Sequence, residues 1–112
     1  MGRISIQNVT EEVTVTVGAS EIARTRAALQ LLEEGYPPVL YVPRGDVTMG
    51  RLARSDHTSH CPFKGDAAYF DFSSGDVCVE AVAWSYEQPI TAVGAIAGHL
   101  AFYSDKCIMQ RG

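Results

Sequence analysis

From Ser55 to Gly65 the chain reads Ser-Asp-His-Thr-Ser-His-Cys-Pro-Phe-Lys-Gly, which gathers His57, His60, Cys61 and Lys64 into one polar stretch. Imidazole moves protons near neutral pH, a thiolate attacks electrophiles, and an ammonium holds anions. In an extended segment alternate side chains share a face, so His57 and Ser59 would sit with Cys61 while His60 points the other way. That pattern makes Cys61 a candidate nucleophile with His57 as its local base. Pro62 biases Cys61 toward extended backbone, and Gly65 lets the chain turn back. Lys64 can then approach the thiol around the turn and favour its thiolate, or hold an anionic ligand instead. The structural alternatives are a cysteine that is simply a small buried hydrophobe and histidines bonded to their own loop.

A second constellation is Trp84-Ser85-Tyr86-Glu87-Gln88-Pro89. If this segment is extended, Trp84 and Tyr86 lie on one face and offer flat walls with polar tips, suited to a ligand pocket or to plugging the end of a core. Asp46, next to Gly45, is either a turn-forming residue or a polar group that fixes a ligand. The candidate ligand-binding set is therefore Asp46, His60, Lys64, Trp84 and Tyr86. No metal or cofactor is expected. Cys61, Cys78 and Cys107 are odd in number and form no C-x-x-C pair, which points to reduced thiols. Asp66, Asp71, Asp76 and Glu80 lack the close pairing that magnesium-assisted phosphoryl transfer uses, and there is neither a P-loop nor a G-x-G-x-x-G run.

These groups must be held by β-structure. Ile4 and Ile6, then Val13, Val15 and Val17, alternate with polar neighbours at the period of a half-buried strand. Gly18 closes the second strand, and Glu21 to Arg24 can pair back across the turn. Ala23 to Glu34 carries Ala27, Ala28, Leu31 and Leu32 at helical spacing with Gly35 as a stop, which favours a short helix over the extended chain that so short an apolar run also permits. Tyr36 to Pro43 reads as a short proline-fenced strand and Arg44-Gly45-Asp46 as a turn leading through Val47, Met49 and Leu52 into the polar loop. Ala67 to Phe72 leaves that loop as a strand, Ser73 to Asp76 turns, and Val77 to Trp84 forms the longest strand. Ile90 to Gly98 predicts a helical turn or two, and His99 to Tyr103 a closing strand. The fold class is mainly β: a small single domain over residues 1–112 with one or two short helices.

With 112 residues, 46% hydrophobic and 20% charged, the composition is that of an ordinary globular domain. A net charge of −4 and dispersed basic residues argue against a nucleic-acid partner. Met1 to Ile6 has no apolar signal region, and Ile6 stands where myristoylation expects Ser or Thr. The apolar run Ile90 to Tyr103 contains His99 and falls short of the roughly 20 residues that span a bilayer, so no membrane partner and a cytoplasmic location are expected. A homodimer is compatible with this size.

Four motifs in order carry a family resemblance: Tyr41-x-Pro43-x-x-Asp46-Val47, His60-Cys61-Pro62-Phe63-Lys64-Gly65-Asp66-Ala67-x-Tyr69, Ala83-Trp84-Ser85-Tyr86-x-x-Pro89, and Ala101-Phe102-Tyr103. Together, over roughly Val13 to Tyr103, they resemble the bacterial family called domain of unknown function 427, sometimes described as nucleotidyltransferase-like. The resemblance implies a β-tent type fold, in which two antiparallel sheets meet at an angle and a pocket can open between them. It implies no established reaction, and the chain lacks a Gly-Ser loop followed by paired aspartates. The expected function is binding of a small polar or anionic ligand. The alternatives are an enzyme, nucleotidyltransferase-like or based on Cys61, and a structural or protein-interaction module.

Overall fold

The computed structural model describes residues 3–112; Met1 and Gly2, part of the amino-terminal segment read above for a signal, lie outside the described residues. Ten strands follow one another: β1 (Ile4–Asn8), β2 (Val13–Val17), β3 (Ser20–Thr25), β4 (Leu29–Glu33), β5 (Val39–Tyr41), β6 (Leu52–Cys61), β7 (Gly65–Ser74), β8 (Val77–Tyr86), β9 (Ala101–Phe102) and β10 (Ile108–Arg111). The mainly β expectation holds. The strands divide among three antiparallel sheets, ordered β1-β4-β5, β10-β2-β3 and β6-β7-β8-β9, where the resemblance implied two.

Alternation explains how they stack. On β7, Ala68, Phe70 and Phe72 enter a core cluster with Val15, Val17 and Ile22 of the β10-β2-β3 sheet. Their neighbours Ala67 and Tyr69 join a second cluster with Leu31 and Tyr41 of the β1-β4-β5 sheet. Ala83 against Trp84, and Phe102 against Ala101, divide in the same way. The four-stranded sheet is thus covered on each face, as the period of two requires of a strand apolar on both sides.

The helix expected over Ala23 to Glu34 is replaced by β3, a turn and β4. Thr25 is buried, donates its hydroxyl to Asp46 at 2.7 Å and accepts from the Ala27 amide at 2.9 Å, which fixes a bend in mid-segment. Leu29, Leu31 and Glu33 then alternate along β4, paired on both sides by β1 and β5. Two ladders outweigh a helical spacing whose one boundary signal is Gly35. The expected polar loop is also largely strand: Ser55 to Cys61 belong to β6, and only Pro62 to Lys64 turn before β7. Between Arg54 and Thr58 the edge strand β6 bulges opposite β7. The helical turn expected in Ile90 to Gly98 is a 3-10 segment, Thr91–Ile96, whose Val93 and Ile96 seal the second cluster. Strand β10, not anticipated from sequence, pairs with β2. Among the described residues, no helix is long and apolar enough to cross a membrane.

A second bulge interrupts β8. Ala81 adopts φ 50°, the left-handed region that costs an L-residue about 1–2 kcal/mol. Its amide donates to Asp71 at 2.8 Å, while Lys106 Nζ donates to the carbonyls of Glu80 and Ala81 at 2.9 and 3.2 Å. One carboxylate and one ammonium thus satisfy the backbone groups that the bulge takes out of the ladder.

Candidate functional site

The β1-β4-β5 sheet and the four-stranded sheet flank an open cavity of about 740 Å³, within the range of small-molecule sites. Strands β4 and β5 contribute Leu31, Glu33, Val39 and Tyr41; β6 to β8 contribute Cys61, Tyr69, Trp84 and Tyr86. The Tyr36-Pro37-Pro38 connection and the Pro62-Phe63-Lys64 turn form two lips. Tyr36 and Phe63 are among the exposed large hydrophobic residues, so both lips carry apolar surface.

The turn is built from its sequence. The Lys64 amide donates to the Cys61 carbonyl at 3.2 Å, and the Lys64 carbonyl accepts from the Ile90 amide at 2.9 Å. Gly65 follows with φ 118°, and a Cβ there would lie 3.4 Å from the Gln88 carbonyl oxygen and 3.5 Å from Pro89 Cα. Those are ordinary contact distances, so it is the conformation that requires glycine here.

Lys64 does reach Cys61, with Nζ 3.6 Å from Sγ. Its stronger partner is Glu33, which accepts from Nζ at 2.8 Å; the two side chains are only 12% and 10% exposed. Burial pulls the Lys64 ammonium down, but the Glu33 hydrogen bond and the charges of Cys61, Glu33 and Tyr86 outweigh it and hold the group above its ordinary value. The lysine therefore stays charged beside the thiol.

Aromatic side chains make the rest of the wall. Trp84 meets the Tyr41 ring edge-on at 6.4 Å and the Tyr103 ring tilted at 4.5 Å. Burial pushes the Tyr41 phenol up to about 12, against a smaller opposing pull from Trp84. Burial likewise raises Tyr86, with Tyr41 adding and Lys64 opposing. Tyr103 is pushed up to about 12 by burial and then by its hydrogen bond to Tyr69. These phenols remain neutral donors throughout the physiological range.

Five of the seven residues singled out from sequence line this cavity: His60, Cys61, Lys64, Trp84 and Tyr86. His60 stands at the exposed rim, its Nδ1 2.7 Å from Asp66, with the side chains 67% and 86% exposed. His57 is not among the lining residues. It lies in the bulge of β6, its ring tilted at 49° against Tyr69 with centroids 4.6 Å apart. Four strand positions separate it from Cys61, roughly 13 Å at the usual rise per residue, so a shared face does not make a contact. Ser59, between them, bonds the Tyr69 hydroxyl at 2.8 Å. Asp46 accepts from Thr25 and joins the β3 bend to the turn before β6, away from the lining residues. Cys107 is buried against the other cluster, and burial pushes its thiol up to about 11.

Sequence reasoning missed Glu33, Tyr36, Tyr41, Tyr69 and Tyr103 as site residues. Tyr41, Tyr69 and Tyr103 were present in the family motifs; Glu33 was hidden by the helical reading of its segment. Among the described residues, no three His, Cys, Asp or Glu side chains converge as metal ligands.

No curated protein matches the chain. A family model described as Domain of unknown function (DUF427) matches residues 5–110, nearly the whole chain and all four motifs. The chain is therefore a member of the domain of unknown function (DUF427) family.

Proposed function

We propose that this protein binds a small polar organic molecule with a flat body in the cavity between the β1-β4-β5 and β6-β7-β8-β9 sheets. One observation carries the reading: all five tyrosines of the chain and its single tryptophan line that cavity. Evenly dispersed aromatics would be ordinary core material; gathering every Tyr and Trp around one open space supports a stacking site. Trp84 and Tyr103 supply aromatic surface to the body of the ligand, and Lys64 with Glu33 offers a donor and an acceptor to its polar end.

Trp84 is its own reporter. Intrinsic fluorescence titrated with a library of small aromatic and heteroaromatic compounds should show saturable quenching. The same compounds should lose most of their effect on a Tyr103→Ala protein that unfolds as cooperatively as the parent. Quenching that never saturates, or that is indifferent to Tyr103, refutes the site.

The 3.6 Å approach of Lys64 to Cys61 supports a second reading, an enzyme with Cys61 as nucleophile. Peptide mapping after limiting treatment with an electrophile distinguishes it. Preferential labelling of half-buried Cys61 over exposed Cys78 is required; labelling in order of exposure rejects it.

A further inference from the structure

Among the described residues, three basic ones line the cavity: His60, Lys64 and Arg111. Each already faces a carboxylate. Lys64 bonds Glu33 at 2.8 Å, His60 bonds Asp66 at 2.7 Å, and Arg111 bonds Glu11 at 2.6 Å. The last two pairs sit at the exposed rim, where water screens them. Of the three pairs, Lys64 and Glu33 alone are largely buried in the wall, and their charges cancel. A net charge entering this aromatic enclosure would lose hydration with no uncompensated partner to replace it.

The buried pair still has something to offer. An ammonium carries three donors, and here one goes to Glu33 Oε1 and another faces the weakly accepting Cys61 sulfur. A carboxylate has acceptor capacity beyond a single bond. The pair thus presents a donor and an acceptor side by side, the complement of a neutral group that has both, such as an amide or the edge of a lactam ring.

Resting on the binding site proposed above, we infer that the ligand is uncharged, a flat ring system bearing an amide-like donor–acceptor edge, selected against anions and cations by the self-neutralised Lys64–Glu33 pair. Sequence left polar and anionic ligands open; the pairing of Lys64 supports the neutral one.

The test compares benzamide, benzoate and benzamidine, one ring with a neutral, an anionic or a cationic head, by Trp84 fluorescence at neutral pH. Fragment affinities in the millimolar range are expected, with benzamide preferred over either ion by about tenfold or more, the scale of an uncompensated charge in a partly dry site. The Glu33→Gln protein leaves Lys64 unneutralised and should switch its preference to benzoate. The Lys64→Gln protein leaves Glu33 unneutralised and should switch to benzamidine, so either variant suffices if the other folds poorly. Parent protein that prefers benzoate or benzamidine overturns the uncharged-ligand inference while leaving the cavity as a binding site. Variants that keep the parent's preference show that the pair does not select, and overturn it equally. No saturable response to any of the three, at up to about 10 mM, overturns the binding site itself and the inference with it.

Discussion

Replacing Glu33 by Gln should destabilise the protein far more than an ordinary ion-pair deletion, because of where the pair sits. At 2.8 Å the attraction between Lys64 and Glu33 is about 6 kcal/mol at the effective dielectric of about 20 that suits protein sites. Most of that is offset in the native protein by dehydration of the two charges. Removing one partner abolishes the attraction but leaves the other's dehydration cost. The expected loss is about 3 kcal/mol for Glu33→Gln and a similar amount for Lys64→Gln, the low end for a buried pair because the cavity keeps one side near water. The double variant, with two neutral amides, should lose clearly less than the sum of the singles, with a coupling of about 2 kcal/mol. Urea unfolding at pH 7, followed by Trp84 fluorescence and by circular dichroism, measures all four corners of the cycle. Single losses below about 0.5 kcal/mol, or additivity within that margin, would mean that the pair behaves as a solvated surface contact, and would refute the account given of the cavity wall.

Gly65→Ala forces an L side chain to hold φ 118°, so a loss of about 2 kcal/mol is expected in the same unfolding assay; a neutral result would show that the turn relaxes freely. At the β8 bulge, Asp71→Ala should cost about 1–3 kcal/mol by orphaning the Ala81 amide, whereas Ala81→Gly should be neutral or stabilising by up to about 1 kcal/mol; the opposite order would reject the strain argument. Stability should also fall at alkaline pH. Tyr41 ionises at about 12 in the folded protein but at about 10 when unfolded, so its stabilising contribution is complete below pH 10 and is lost as pH rises toward 12. Unfolding free energies between pH 9 and 12 check this, and a Tyr41→Phe protein should show a shallower decline; equal slopes would dissociate the decline from Tyr41.

What could be read from sequence is what is decided over a few residues. Period-two alternation set the strands at Val13–Val17, Ala67–Phe72 and Val77–Trp84, since side chains two apart must share a face. Pro62 and Gly65 bracket a turn, which brings Lys64 within reach of Cys61. The same locality misled at Ala23–Glu34, where helical spacing and strand alternation coexist and only pairing with β1 and β5 selects the strand. It misled again at His57, which shares a face with Cys61 by periodicity but is separated from it by rise and by the β6 bulge. The partner of Lys64 lies 31 residues away on another sheet, and the tyrosines come from both sheets and the connections between them. Those meetings depend on strand register and on how two sheets pack face to face, which no short segment encodes; the chain alone specified the reactive groups, and tertiary structure decided which charges cancel and which rings surround the same space.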